Sequence, residues 1–170
     1  FDSLLNFKVK PYCAWHTDPK AWIIDAFSFD WAELMLPYAF SPFSLVRAVL
    51  HKINLETSEM LLVVPWWTTQ PWFPKLGKLL CDIPRFFPVH HDTLQLPSQP
   101  DQIHSLAGQL KLLVCRVSGN ILKTKAFRHQ VQLLCSKQRD FPHTRSTTHT
   151  SKSGSSFVVS GTLILLSPYS

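Results

Sequence analysis

The sequence predicts an α/β domain with a mostly parallel sheet, because one stretch carries a helix pattern and then a buried-strand pattern. Apolar residues recur at helical spacing from Leu45 to Ile53. A polar break over residues 54–59 follows. Residues 60–64 then form an unbroken apolar run ended by Pro65, which is typical of a strand covered on both faces. A helix, a loop and a buried strand in this order make one step of a parallel sheet.

The predicted helix has candidate capping residues and a basic side. Ser41 or Ser44 can cap it, because a serine oxygen accepts a hydrogen bond from an amide of the first turn. Arg47, His51 and Lys52 fall largely on the side opposite the apolar residues.

The composition permits one domain and hints at a covered surface. The 170 residues are 45% hydrophobic, which is enough to build a core. Only 16% of them are charged, where about 25% is usual for a soluble domain. We therefore expect that part of the surface is normally covered.

The positive charge concentrates in the second half of the chain. The net charge is +6, and residues 111–152 contain a single acid, Asp140, against nine basic residues. These are Lys111, Arg116, Lys123, Lys125, Arg128, Lys137, Arg139, Arg145 and Lys152. This asymmetry favours contact with nucleic acid or another polyanion, and removal of residues 111–152 should flatten the salt dependence of that binding. The alternative is a solvated, partly disordered basic tail.

Short apolar runs near the amino terminus predict short strands at Tyr12–Trp15 and Trp22–Ile24. Asp25 follows the second run, and open α/β sheets place ligand contacts at the carboxyl ends of strands. Asp25 is therefore a candidate ligand contact, followed by Asp30 and Asp18. The alternative is that these aspartates are turn and cap residues.

A tryptophan-rich turn, WWTTQPWFPKLGKLLC, begins at Trp66 and becomes a helix near Pro71 or Phe73. Trp66, Trp67 and Trp72 could stack on bases, as aromatic platforms do for single strands. Alternatively, the cluster belongs to the core or to an interface. Residues 83–89 read as an edge strand, since prolines are tolerated there.

The sequence predicts no metal site. His90, His91 and Asp92 form the only concentrated run of potential ligands, and adjacent side chains of a strand point apart. Cys13 and His16 have a ligand-like spacing but no partner pair at zinc-site spacing.

The second half predicts a linker and two helices. Residues 94–102 are rich in proline and polar residues, which is typical of a domain boundary. Apolar residues at helical spacing predict helices over His104–Val117 and Thr124–Leu134.

The chain thus divides into an α/β segment (1–93), a linker (94–102), a helical segment (103–135) and a basic tail (136–170). Residues 136–156 are of low complexity and predict disorder, whereas 157–166 are strand-like with an unpaired edge.

We expect an intracellular protein, nuclear or cytoplasmic, with no membrane contact. The first residues lack a charged region followed by an apolar one, and no apolar run approaches the about 20 residues that span a bilayer. The four cysteines include no CxxC pair and are expected to be reduced.

Two stretches carry a resemblance, WHTDPKAWIIDAFSFDWAELMLPYAFSPFSLVRAVLHKI and VVPWWTTQPWFPKL. They resemble the polyprotein of DIRS-type retrotransposons, in the part between the ribonuclease H region and the tyrosine recombinase. LKLLVCRVSG and, more loosely, HTSKSGSSFVVSG extend the resemblance over nearly the whole chain.

That part of the family is similar to Dam-like N6-adenine methyltransferases. The resemblance implies an incomplete Rossmann-like (methyltransferase-like) parallel sheet with helices, followed by a helical and partly disordered tail. It implies S-adenosylmethionine near Asp25 and Asp30, and a flipped adenine held at Pro42 and Phe43.

The turn departs from the family pattern at two positions. Phe40 stands where the family has an amide or carboxylate, and it cannot accept a hydrogen bond; Ser41 replaces the first proline. The sequence has no glycine-rich loop near the amino terminus that could hold the methyl donor. We therefore expect no bound cofactor and no methyl transfer by this chain alone.

Three hypotheses follow. The first is a polyprotein fragment whose degenerate methyltransferase-like segment connects its neighbours in the polyprotein or binds nucleic acid. The second is an S-adenosylmethionine-dependent DNA adenine methyltransferase. The third is a decayed copy of the element without selected activity.

Overall fold

The computed structural model describes residues 10–14, 16–87, 95–96, 99–103, 110–139, 156–159, 162–165 and 167–168, and side chains within 10–14, 16–87 and 110–134. The strands within these ranges are β1 (Cys13–Ala14), β2 (Ile23–Ile24), β3 (Tyr38–Ala39), β4 (Glu59–Pro65), β5 (Arg85–Phe87), β6 (Gln95–Leu96), β7 (Gln99–Ile103), β8 (Leu112–Ser118), β9 (Ser156–Val159), β10 (Thr162–Leu165) and β11 (Ser167–Pro168). The α-helices are α1 (Val46–Glu56), α2 (Phe73–Leu79) and α3 (Ile121–Arg139).

A mixed five-stranded sheet organises the domain, in the order β11-β5-β8-β4-β3. β3 and β4 are parallel and are joined through α1, so the α/β class and the predicted helix-to-strand step are confirmed. β8 lies between β4 and β5 and is antiparallel to both. The prediction of a mostly parallel sheet is therefore wrong, because an antiparallel strand occupies its centre.

The helix predicted over His104–Val117 is wrong where the structure describes that range. Residues 112–118 form β8, whose register with β4 runs from Glu59 opposite Ser118 to Pro65 opposite Leu112. The side chains of Leu113, Cys115 and Val117 alternate into the core. Backbone hydrogen bonds to β4 on one side and β5 on the other satisfy the amides of β8, and this favours a strand over a helix.

Besides the main sheet, the described residues form three two-stranded pairs. β1 and β2 form a parallel pair, so both predicted amino-terminal strands are confirmed. The proposed linker holds the antiparallel pair β6–β7. The strand-like stretch near the carboxyl terminus is two strands, because β9 and β10 pair antiparallel. β5 pairs with β8 and β11, so the prediction of an edge strand there is wrong.

The core lies between one face of the sheet and the helices. Side chains from all three helices pack there against alternate residues of β4 and β8. The helix residues include Val49, Leu50, Ile53, Leu76, Leu79, Phe127 and Val131, and the strand residues include Leu62, Val64, Leu113 and Val117. Each fully buried Leu or Ile contributes about 1.5–3 kcal/mol of transfer free energy.

The first turn of α1 is not capped as the sequence predicted. A 3-10 turn over Phe43–Leu45 leads into α1, and neither the turn nor the helix receives a side-chain cap from the described residues. The predicted capping by Ser41 or Ser44 is therefore wrong. α3 is capped by Asn120, whose Oδ1 accepts the Leu122 amide at 2.9 Å.

α3 confirms the helix predicted over Thr124–Leu134 and extends it at both ends. Its last residues enter the stretch expected to be disordered, which is therefore helical over 136–139. Most of that stretch, residues 140–155, lies outside the described residues.

Gly119 holds the end of β8 against the end of α1. Its amide donates to the carbonyl of Ser58 at 2.9 Å. A Cβ atom at this position would lie 2.2 Å from the Ile53 carbonyl oxygen and 2.8 Å from Thr57 Cα. Both neighbours are backbone atoms, so they cannot rotate away.

Gly119→Ala should lower the free energy of unfolding by about 3 kcal/mol, at the upper end of the usual cost of overpacking. Urea denaturation monitored by circular dichroism measures this. Gln130→Ala, on the exposed side of α3, is the control and should change stability by less than about 0.5 kcal/mol. Equal stability of Gly119→Ala and the unmodified chain would contradict this close approach.

Candidate functional site

Two loops meet beyond the carboxyl ends of the parallel strands β3 and β4. The Phe43 ring packs edge-on against Trp67, with centroids 4.9 Å apart, and Phe40 lies 6.2 Å from Phe43. Trp66 packs edge-on against Phe73 at 5.2 Å. The structure thus brings the predicted base-contacting Phe43 together with one of the predicted tryptophans, Trp67.

The turn over residues 40–43 offers few hydrogen-bond acceptors. Phe40 is about one-third exposed and carries no polar side-chain atom. Ser41 is buried, and its Oγ has no hydrogen-bond partner among the described residues. The Pro42 carbonyl already accepts the Leu45 amide at 2.9 Å.

The three tryptophans differ in access. Trp72 is buried in the core, so its ring presents no open face to a base. Trp66 and Trp67 are half-buried and pack against the core from its rim. Packing therefore accounts for much of the area of all three rings.

The candidate aspartates bind backbone amides. Asp25, which has a φ of 60°, accepts the Phe27 amide at 2.9 Å. Asp30 accepts the Ala32 amide at 2.8 Å and caps a 3-10 turn. Asp18 accepts the Lys20 amide at 2.9 Å and also the Tyr12 hydroxyl at 2.8 Å. These contacts are those of turn and cap residues, the alternative for all three.

Asp30 and the aromatic turn lie near opposite ends of α1. The amide of Trp31 donates to Glu56, the last residue of α1, at 2.9 Å. Phe43 precedes the first residue of the helix. The ten residue steps of α1 correspond to about 15 Å of helix axis. The predicted donor-side and base-side residues are thus far apart along α1.

Two of the predicted nucleic-acid contacts are engaged in an ion-pair cluster. Arg116 Nη2 lies 2.6 Å from Glu59 Oε1, and Lys123 pairs with the other oxygen of Glu59. Burial raises the pKa of Glu59, but the hydrogen bonds from Lys123 and Arg116 outweigh it and hold the pKa below its usual range.

The other three basic residues predicted to contact nucleic acid have different environments. Arg128 Nη2 donates to the Lys78 carbonyl near the end of α2 at 3.0 Å, where a cation complements the helix dipole. Lys111 and Lys125 are exposed. The predicted set is thus divided between structural and surface roles.

A second group of basic side chains, missed as a site by the sequence analysis, lies on α1 and α2. Lys75 Nζ is 3.3 Å from His51 Nδ1. Arg47 lies one turn before His51, and Lys78 one turn after Lys75. The helical spacing in each segment was a visible signal, but the contact between the helices was not.

The cysteines and histidines whose side chains the structure describes form no cluster. Cys13, Cys81 and Cys115 are free thiols, and burial raises the pKa of Cys81 to about 11. The described side chains contain no group of three or more His, Cys, Asp or Glu able to hold a metal ion. His90, His91 and Asp92 lie outside the described residues.

Comparisons with protein-family models, with curated proteins and with solved structures found no match to this chain. Among the residues that the structure describes, none of the helices combines the length and the hydrophobicity needed to cross a membrane.

Glu59→Gln should lower the free energy of unfolding by about 1 kcal/mol at pH 7, because the two cations are half exposed and can be solvated. The folded-state pKa of Glu59 is depressed, so its contribution is present above the unfolded pKa and is lost as pH falls through the folded value. Urea denaturation between pH 3 and pH 7 should therefore show the difference shrinking toward acid.

Glu33→Gln is the matched control, since Glu33 is exposed, and it should change stability little at any pH. A Glu59→Gln effect of equal size at pH 3 and pH 7 would contradict a role for the Glu59 charge.

Proposed function

We propose that this chain is a non-catalytic, nucleic-acid-binding module of a retrotransposon polyprotein. One observation carries the binding part. The three helices that cover one face of the sheet contain seven Lys and Arg residues whose side chains the structure describes, two in α1, two in α2 and three in α3. Their only acid is Glu56.

Two of these cations are paired with carboxylates. Glu56 pairs with Lys52, and Glu59 of β4 pairs with Lys123. The helical side of the domain is therefore strongly positive, and such a surface attracts phosphates and releases their counterions.

The chemistry of the aromatic turn supports a role without methyl transfer. A methylated adenine must donate its amino hydrogens to a positioned acceptor, and the side chains of Phe40 and Pro42 have none. The carboxylates of Asp25 and Asp30 already accept backbone amides. The resemblance to DIRS-type polyproteins supports the context of a connector between enzymatic domains.

Nucleic-acid binding should show a steep salt dependence, measured by fluorescence anisotropy with a labelled 25-base-pair duplex between 50 and 300 mM NaCl. Lys111→Gln with Lys125→Gln should reduce the slope of log K against log[salt] by up to about 2, at about 0.9 per lost phosphate contact. Substitutions are a better test than deletion of residues 111–152, because the deletion would remove the central strand β8.

Lys20→Gln removes an exposed charge near β1 and β2, and it should leave the slope unchanged. Absence of binding by the unmodified chain at 50 mM NaCl would contradict the proposed function.

S-adenosylmethionine should give no binding heat in isothermal titration up to about 1 mM, a concentration that would detect even weak complexes. Circular dichroism must show the same sample to be folded. Measurable heat that Asp25→Ala abolishes would instead favour a surviving methyl-donor site, and a methylation assay on adenine-containing DNA would follow.

A further inference from the structure

Four basic side chains lie next to one another on the outer side of the α1–α2 pair. Arg47 and His51 are both exposed and one helical turn apart, and Lys75 and Lys78 are one turn apart on α2. The 3.3 Å contact between Lys75 Nζ and His51 Nδ1 joins the two helices. We call these four residues the α1–α2 basic row.

The contact at its centre leaves hydrogen-bond donors pointing elsewhere. When His51 Nδ1 accepts one hydrogen of the Lys75 ammonium, that ammonium keeps two more. The imidazole then carries its proton on Nε2, which is a further donor. Three donors therefore surround the point where the helices meet.

Carboxylates from the neighbouring segments are engaged elsewhere. Glu56 pairs with Lys52 and accepts the amide of Trp31. Asp82, the first acid after α2, accepts the amide of Ile83 at 2.7 Å. No ion pair between the basic row and a carboxylate occurs within the described residues, so the row has unmet positive charge.

The extent of the row fits a chain of phosphates better than one phosphate ion. Neighbours one turn apart on a helix are separated by about 5–6 Å at Cβ. The row has two such steps, one on each helix, joined by the contact between Lys75 and His51. Successive phosphates along a nucleic-acid strand can therefore meet successive cations.

A membrane surface fits the row less well. Peripheral helices insert large apolar side chains below their basic residues. Beside the row the described residues of α1 and α2 expose one large hydrophobic side chain, Leu55, one turn after His51, whereas a peripheral helix inserts several.

We propose that the α1–α2 basic row binds the sugar-phosphate backbone of nucleic acid. This inference rests on the proposed function and locates its contact surface. The cations position the strand without reading bases, because phosphate contacts carry no sequence information. The row supplies salt-dependent affinity in addition to that of the exposed Lys111 and Lys125.

The test is a triple variant of the full chain, Arg47→Gln, Lys75→Gln and Lys78→Gln, in the anisotropy assay with the duplex and a 25-nucleotide single strand. The slope of log K against log[salt] should fall by about 2–3 for the duplex and by about 2 for the single strand. Affinity at 100 mM NaCl should fall at least about tenfold.

Two controls separate position from charge and from folding. Arg85→Gln removes an exposed cation from the sheet face opposite the helices, because Arg85 pairs in register with Val114 of β8. It should leave the slope unchanged. Lys75→Arg with Lys78→Arg keeps the charge and should bind like the unmodified chain. The circular dichroism spectrum and thermal midpoint of each variant establish that it is folded.

A second measurement is independent of the variants. Acetylation of lysines in the unmodified chain, mapped by mass spectrometry, should slow at Lys75 and Lys78 when nucleic acid is present and stay constant at Lys20. Protection of both row lysines would support the proposal, and unchanged acetylation of both would contradict it.

The outcomes separate this inference from the proposed function. Binding by the unmodified chain with an unchanged slope in the triple variant overturns the row alone. Absence of nucleic-acid binding overturns both. Binding to phosphatidylserine vesicles that requires the row, without binding to nucleic acid, also overturns both and assigns the row to a lipid surface.

Discussion

The antiparallel pairing of β4 with β8 is the contact on which the rest of this domain depends. It joins segments about 50 residues apart in the sequence along seven residue pairs. One end of the ladder carries the Glu59 ion-pair cluster and the close approach of Gly119 to α1. At the other end, the Trp66 amide donates to the Lys111 carbonyl at 2.8 Å. The aromatic turn and the helical layer are therefore both held by this one ladder.

The same pairing redistributes charge that looks continuous in the sequence. Residues alternate between the two faces of β8, so Arg116 lies on the face opposite the core residues Cys115 and Val117. There it pairs with Glu59, to which Lys123 also reaches. Basic residues that are dense between 111 and 128 thus do not form one surface. His51 and Lys75, 24 residues apart, are in contact.

Local patterns predicted α1 and β4, because each has an apolar pattern that only one kind of element explains. They failed for β8, where Leu113, Val114 and Val117 fit a helix while Leu113, Cys115 and Val117 fit a strand. That ambiguity is resolved only by pairing with β4, a contact far away in sequence. The sequence allowed two interpretations of the aspartates, ligand contacts or turn and cap residues. The hydrogen bonds of Asp25 and Asp30 are those of turns and caps. The basic row was missed because helical spacing shows which residues are neighbours within one helix, but not which residues of α1 contact those of α2.

Binding and catalysis differ in how well they survive changes in sequence, and this difference links the two parts of the proposed function. Methyl transfer requires reacting groups placed within fractions of an ångström, and a shift of about 1 Å can cost about a hundredfold in rate. The Phe40 side chain packs against Phe43 and offers no acceptor for such a contact. Attraction of phosphates acts over about 10 Å at 0.1 M salt and tolerates imprecise geometry. The proposed function therefore requires of α1 only that it presents cations on its outer side and apolar residues to the core.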